Sequence, residues 1–265
     1  MVDKDVLHDT ISKLVAFEAY SEDVEALILE SLKDLMASIP DKRRASYGIV
    51  SVIVSYCKTA YKTRPDVYDL ALTLYREGKD YRVICVGLGL LSHIGVDQPH
   101  KILPLLEEAA DHAQWEVKEF VQMFIRKITK KHPEVVQNFL IHLTQSSSAS
   151  KRRMASEALR PVVENRWIHD QPDFALKVLR HLFHESQDFP RVSVGNCLSD
   201  LSRKNPDLIL GLVGDLVARQ DENAYFIAYR ACRNLVKSRP LEVMNLLKIE
   251  TYKYKNKSYH KKNYI

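Results

Sequence analysis

Three carboxylates occupy comparable positions in the second half of the sequence. Glu119 lies in "QWEVKEFVQMFIRKI", Glu157 in "KRRMASEALRP" and Asp200 in "RVSVGNCLSDLSRKNPD". Each belongs to a segment whose apolar residues have helical spacing, and the acids are 38 and 43 positions apart. A cluster of such acids can stabilise a positive charge that develops in a reaction, and one of them can position an attacking water. The alternative is that they are ordinary solvated carboxylates in weak surface pairs.

Basic side chains accompany these acids in the sequence. They are Lys118, Lys151, Arg152, Arg153, Arg160, Arg191, Arg203 and Lys204. Lysine and arginine bind the phosphates of a nucleic-acid backbone. Acids within a basic groove therefore suit a site that holds a phosphate backbone and also meets a cationic centre. Asn196 stands four residues before Asp200 on the same helical face, so this amide and carboxylate either line the groove or are plain solvated groups.

The two tryptophans are further candidates. Trp115 precedes Glu119 by about one helical turn, and Trp167 lies in the connecting stretch "ENRWIHDQ". Packing is the default role of both rings, and stacking on a nucleotide is the functional alternative.

The C-terminal stretch "TYKYKNKSYHKKNYI" contains four tyrosines and five lysines and no acid. Interleaved side chains of this kind can pair with phosphates and stack on exposed bases. The candidates are Lys253, Lys255, Lys257, Tyr254 and Tyr259. The alternation predicts either a small hairpin or a disordered, solubilising end. In both cases we expect the stretch to contribute little apolar surface to the fold.

Prolines mark the elements that must position these residues. They recur at Pro65, Pro99, Pro133, Pro172, Pro206 and Pro240, with spacings of 34, 34, 39, 34 and 34 residues. Proline suits the first turn of a helix, and a second helical segment precedes each following proline. A two-helix repeat of this length is typical of an α-solenoid.

The period predicts an all-α fold of six or seven antiparallel helix pairs with a curved, often concave, surface. The segment around Pro40 is predicted to form an early, irregular pair. We expect one domain over residues 1–250 and a basic tail over 251–265.

Charge and composition limit the classes of function. Residues 1–110 have a net charge of −4, residues 111–250 of +4 and residues 251–265 of +5, which favours a polyanionic partner for the C-terminal half. No apolar run is long enough to span a membrane, and the N-terminus lacks the apolar core of a signal peptide. We expect a cytoplasmic monomer with reduced cysteines. No motif for a metal or an organic cofactor is present.

The motifs "WEVKEF", "KRRMASEALRP" and "SVGNCLSDLSRKNPD" resemble the bacterial alkylpurine DNA glycosylase superfamily with HEAT-like repeats. The resemblance runs from about Trp115 to Leu247 and is closer to the AlkC branch than to the AlkD branch. It implies a HEAT-like α-solenoid with a concave, basic DNA groove. The family's lesion-site acids match Glu119, Glu157 and Asp200. Its double arginine matches Arg152 and Arg153, and its asparagine matches Asn196.

The resemblance implies excision of cationic N-alkylpurines such as 3-methyladenine by an N-glycosylase, a hydrolase that needs no cofactor. Asp200 would face the cationic sugar, while Asn196 would orient it or hold the backbone. DNA is the expected partner, with nucleoid association when bound. Two alternatives stay open: a non-catalytic binder of branched, bent or damaged DNA, and a protein-scaffolding α-solenoid.

Overall fold

A computed structural model describes residues 67–265 and four isolated helical positions upstream, 26, 29, 30 and 33. The predicted early pair around Pro40, and Pro65 itself, lie outside the described residues. The chain divides into two compact units, residues 1–132 and residues 133–265. The expected single domain over 1–250 stays a prediction.

Residues 67–132 of the first unit contain four helices. They are α1 (Val67–Glu77), α2 (Tyr81–Gly95), α3 (Pro99–Ala109) and α4 (Trp115–Lys131). Helices α1 and α2 pack as one antiparallel pair and α3 follows with α4, while α2 also packs against α4. Helix α2 is buried over most of its length, from Val83 to Ser92, and the buried residues of α4 recur at helical spacing, so these helices supply much of this unit's core.

The second unit contains seven helices, two short 3₁₀ segments next to α7, and a hairpin. The helices are α5 (Pro133–Thr144), α6 (Ala149–Glu157), α7 (Pro172–Leu179), α8 (Asp188–Leu201), α9 (Pro206–Ala218), α10 (Glu222–Leu235) and α11 (Pro240–Leu246). The two 3₁₀ segments are Val163–His169 and Arg180–Leu182. The hairpin has strands β1 (Thr251–Tyr254) and β2 (Lys257–His260), followed by a 3₁₀ turn at Lys261–Asn263.

The proline period sets where helices begin. Pro99, Pro133, Pro172, Pro206 and Pro240 are each the first residue of a helix. Proline fits there because its missing N–H would have no intrahelical partner. The predicted two-helix repeat is confirmed, and the five extra residues in the 39-residue interval belong to the 3₁₀ connection. The total of six or seven pairs and the concave groove stay predictions.

The second helices of successive pairs form one layer of the second unit. Helix α6 packs against α8, and α8 packs against α10. Gly195 permits a close approach of α8 and α10, because a methyl group at this position would lie 2.7 Å from Arg230 Cβ. We call the polar side of this layer, with the loops that follow its helices, the second-helix face. Stacking of the pairs therefore brings residues about one repeat apart in the sequence next to each other.

The C-terminal stretch forms the predicted hairpin. Thr251 pairs with His260 and Tyr254 pairs with Lys257, so residues 255 and 256 make the turn. The expectation that this stretch contributes little apolar surface is wrong. Tyr252 is fully buried, and its ring stacks on that of Tyr229 in α10 with centroids 4.4 Å apart. The period-2 alternation of the strand turns Tyr252 toward α10 while its neighbours on either side face away.

Among the described residues, no helix is both long enough and apolar enough to cross a membrane.

Candidate functional site

Asp200 lies near the end of α8 and meets three arginines, of which Arg203 is the most distant, with Nη2 3.7 Å from Asp200 Oδ1. Arg160 donates from Nε and Nη2 to Asp200 Oδ2, at 2.8 and 2.7 Å. Arg233 donates from Nη2 to Oδ1 at 3.1 Å. The residue is only 8% exposed, so both carboxylate oxygens have guanidinium partners in a largely desolvated setting. Charge-assisted bonds of this kind fix the orientation of a carboxylate.

Glu157, the last residue of α6, joins the same cluster through Arg160. Arg160 Nη1 donates to Glu157 Oε2 at 3.2 Å, so one guanidinium bridges two of the three predicted acids. Burial by itself would lower the pKa of Arg160, but the charges of Glu157 and Asp200 outweigh it and raise that pKa above its ordinary value. Arg160 therefore stays protonated, and its positive charge offsets the repulsion between the carboxylates of Glu157 and Asp200.

Asn196 faces the same neighbouring helix as Asp200. Its Oδ1 accepts from Arg230 Nε at 2.9 Å and from Arg233 Nη1 at 2.7 Å. Arg233 Nε also donates to Ser199 Oγ at 3.0 Å. The amide and the carboxylate thus converge on one guanidinium of α10. Burial and the charge of Arg233 lower the pKa of Arg230.

Sequence reasoning missed Arg230 and Arg233. The available signal was their position, three residues apart on α10 and about one repeat after Asn196 and Asp200. Charge pairing between adjacent repeats follows from that offset once the stacking register is known.

The basic residues at the start of α6 have internal partners. Arg152 donates from Nε and Nη2 to the buried carboxylate of Glu185, at 2.6 and 3.1 Å. The guanidinium carbon of Arg153 lies 4.6 Å from the ring centre of Phe189. Lys151 is half-buried, and its backbone N–H donates to the capping Ser148 Oγ at 3.3 Å. Arg152 and Arg153 therefore have structural roles besides any contact to a ligand.

Arg191 belongs to the same layer but is engaged with α10. Its Nη1 donates to Asn223 Oδ1 at 2.7 Å, and its guanidinium lies 4.1 Å from the ring centre of Phe226. It also pairs with Asp188 on its own helix.

A cleft of about 500 Å³ opens beside Asp200. Its charged and titratable lining residues are Arg160, Arg166, His169, Asp200, Arg203 and Lys204. Burial and the nearby charge of Lys204 lower the pKa of His169, which favours its neutral form at neutral pH. Among the residues that the structure describes, Asp200 is thus the one carboxylate on this lining, beside the cations Arg160, Arg166, Arg203 and Lys204, and we call this the first cleft. No sequence motif indicated Arg166 or His169 as site residues.

Trp167 is not among the lining residues of the first cleft, and Trp115 belongs to the first unit. The Trp167 ring packs against Phe174 with centroids 4.9 Å apart, in keeping with its default packing role. Trp115 begins α4 in the first unit and is 49% exposed. Glu119, one turn later, accepts a hydrogen bond from Gln122 Nε2 at 2.9 Å. Because Glu119 belongs to the first unit, its clustering with the other acids stays a prediction.

The hairpin contacts the cluster through Tyr254. The guanidinium of Arg233 lies 5.9 Å from the Tyr254 ring centre, and Arg233 Nη1 is 3.5 Å from the phenolic oxygen. Three lysines project from the same hairpin and are exposed: Lys253, Lys255 and Lys257. Tyr259 lies edge-on to Tyr252 with centroids 6.4 Å apart.

Among the described residues, no group of three or more His, Cys, Asp or Glu is placed to hold a metal ion.

Comparison with known proteins identifies relatives at the level of family and fold. Residues 22–235 match the model of the DNA alkylation repair enzyme family. A search among curated proteins finds no significant match. Among solved structures, AlkD2 from Streptococcus mutans is 19% identical with a TM-score of 0.57, over 87% of this chain and 97% of that chain.

Two further structures share this architecture. The smu.31 structure from Streptococcus mutans UA159 is 21% identical with a TM-score of 0.55, over 71% of this chain and 98% of that one. Pseudomonas fluorescens alkylpurine DNA glycosylase AlkC, bound to DNA containing an abasic site analog, is 18% identical with a TM-score of 0.53. That match covers 94% of this chain and 67% of the other. At these identities the likeness concerns the helical-repeat fold.

Proposed function

Because the chain belongs to the DNA alkylation repair enzyme family, we propose that it binds DNA and excises cationic N-alkylpurines by hydrolysis of the N-glycosidic bond. The family match agrees with the AlkC/AlkD resemblance carried by the sequence motifs. The observation that carries the proposal is the first cleft, where, within the described part of the chain, Asp200 is the sole carboxylate on a lining that also has three arginines and a lysine. The cations can bind the phosphates that flank a lesion, and a fixed carboxylate can stabilise a sugar that becomes cationic.

In the proposed reaction the protein does not need to activate the leaving group and has mainly to stabilise the sugar cation. An alkylated purine already has a positive charge, so when its bond to C1′ breaks, the bonding electron pair moves to the base and the base leaves neutral. The remaining sugar is an oxocarbenium-like cation that water attacks at C1′, with loss of a proton. A negative group that is already in place stabilises such a cation without reorganisation. We assign this role to Asp200, with Glu157 supporting it through Arg160 and Glu119 as the third acid.

DNA binding is assigned to the second-helix face and the hairpin. Arg203 and Lys204 follow α8, line the first cleft and are exposed, so they are available to phosphates. Lys253, Lys255 and Lys257 add positive charge on the hairpin, while Tyr254 and Tyr259 offer aromatic surface. We retain a wider set as predicted DNA contacts: Lys151, Arg152, Arg153, Arg160, Arg191, Asn196, Trp115 and Trp167.

A second candidate function is non-catalytic recognition of bent, branched or damaged DNA. It is favoured by the pairing of Asp200, because Arg160 and Arg233 occupy both carboxylate oxygens. Arg203 Nη2 also lies 3.7 Å from Asp200 Oδ1, so two acids meet three arginines and the cluster has no net negative charge to stabilise a cationic sugar. In this case the cluster would serve only to join α6, α8 and α10.

Base release from alkylated duplex DNA tests the proposal, with Asp200→Asn as the main variant. Asparagine keeps the size and one acceptor oxygen but removes the charge. Loss of one preorganised electrostatic group costs on the order of 10²–10³ in rate, so release should fall by that factor. DNA affinity should hold or improve, because a negative charge leaves a phosphate-binding surface. Glu157→Gln should act in the same direction.

Asp215→Asn is the matched control, since Asp215 is an exposed acid on α9 away from the first cleft. It should leave base release unchanged. Equal release by wild type and Asp200→Asn would eliminate the proposed acid. No release by the wild-type protein, together with tight binding of distorted DNA, would decide for the non-catalytic function.

A further inference from the structure

A second cleft lies where α8 and α10 end. Its volume is about 580 Å³, and its polar lining residues are Ser202, Arg203, Asn234, Lys237, Ser238 and Arg239. Within the described part of the chain, no carboxylate belongs to this lining. Arg203 lines both clefts, and its side chain is 64% exposed. The lining therefore selects for an anion.

Lys237 is held at this cleft by a neutral acceptor. Its Nζ donates to Asn234 Oδ1 at 3.0 Å. The orientation of that amide is fixed from the other side, because Asn234 Nδ2 donates to the backbone oxygen of Ser199 at 2.8 Å. An amide oxygen has no net charge, so this contact positions the ammonium group without neutralising it.

Arg239 differs from Lys237 in this respect. It pairs with Asp207, and its Nη1 lies 3.6 Å from Glu242 Oε2. Its charge is therefore shared with acids just outside the lining. Arg203 also meets an acid outside this lining, because its Nη2 lies 3.7 Å from Asp200 Oδ1. The exposed cations of the lining are Arg203 and Lys237, which are 34 positions apart and so belong to successive repeats.

We propose that this second cleft binds a phosphodiester of the same DNA strand as the one held by the first cleft, with Arg203 between the two clefts. The inference rests on the proposed function and extends the DNA contact from α8 to α10. Neighbouring packed helices are about 8–10 Å apart, and the phosphates of one strand rise about 3.4 Å per nucleotide along the duplex axis. Clefts at the ends of adjacent helices thus match phosphates two to three nucleotides apart.

A purely structural role for these cations makes a different prediction. Basic side chains near a helix C-terminus interact favourably with the helix dipole, and Lys237 follows the end of α10. If that were its whole role, its removal would change the melting temperature and leave the salt dependence of DNA binding intact.

The test measures the affinity of the full chain for duplex DNA over a range of salt concentrations. Each phosphate contact contributes about −0.9 to the slope of log affinity against log salt. Lys237→Ala should make the slope shallower by about that amount and lower the affinity at low salt. The matched control is Lys177→Ala, an exposed lysine on α7. Asp207→Asn should have the opposite effect, because it releases Arg239 and so tightens binding.

Three results would overturn the inference. If Lys237→Ala leaves the slope and the affinity unchanged while the wild-type protein binds normally, the second cleft is excluded as a DNA contact. This result does not contradict the proposed function. Absence of DNA binding by the wild-type protein would refute both this inference and the proposed function. If inorganic phosphate raises the melting temperature of the wild type but not of Lys237→Ala, and the DNA slope is unchanged, the cleft is a site for small anions rather than for DNA.

Discussion

Tyr252 anchors the C-terminal hairpin, and its replacement by alanine should strongly destabilise the second unit. The side chain is fully buried and stacks on Tyr229, and its hydroxyl donates to the Tyr229 backbone oxygen at 2.8 Å. The Tyr229 hydroxyl in turn donates to the Lys253 backbone oxygen at 2.9 Å, so the two rings join strand and helix from both sides. Burial raises the pKa of Tyr252, which keeps its hydroxyl a donor.

The expected loss of unfolding free energy in Tyr252→Ala follows from these contacts. Truncation of a buried aromatic side chain costs about 3–5 kcal/mol, which includes the lost stacking and the cavity left behind. Tyr252→Phe isolates the hydroxyl and should cost about 0.5–1.5 kcal/mol, because it removes one hydrogen bond and leaves the ring in place. For a protein of this size, about 3–5 kcal/mol corresponds to a fall in melting temperature of about 6–20 °C.

Urea unfolding followed by far-ultraviolet circular dichroism measures both variants. The control is Tyr264→Ala, because Tyr264 is an exposed tyrosine of the same C-terminal segment and should change stability by less than about 0.5 kcal/mol. If Tyr252→Ala unfolds like this control, the hairpin is not docked on α10 and the reasoning fails. The sequence alone favours that outcome, since its pattern led us to expect little apolar surface from residues 251–265.

Two further predictions concern charge. Replacing Arg203 and Lys204 by alanine should flatten the salt dependence of DNA binding by about 0.9 per lost phosphate contact, and an unchanged slope in an anisotropy titration would exclude them from the interface. Although burial alone would raise it, the hydrogen bonds from Arg152 and the backbone N–H of Gln187 hold the pKa of Glu185 below its ordinary value of about 4.3. The stability from this contact is therefore full above about pH 5 and is lost as the pH falls through the lowered pKa. Glu185→Gln should reduce stability at neutral pH and weaken its decline on acidification, as measured by urea unfolding at several pH values; parallel pH profiles would contradict this.

The sequence by itself determined the helical register. Proline at the first helical position and apolar residues at helical spacing act within one or two turns, so their effect does not depend on the rest of the fold. The same local geometry places Asn196 and Asp200 on one side of α8. The basic character of the C-terminal half is also a property of the chain alone, because it needs only a count of charges.

The tertiary structure decided what these residues meet. Asp200 pairs with Arg160, 40 positions earlier, and with Arg233, 33 positions later, and no local pattern specifies either partner. These pairs depend on how the repeats stack, including the longer connection through the 3₁₀ segment Val163–His169 and the close approach at Gly195. Tyr252 shows the same limit. Its alternation with lysines predicts a strand, but burial requires a docking surface, which α10 supplies only once the repeats have packed.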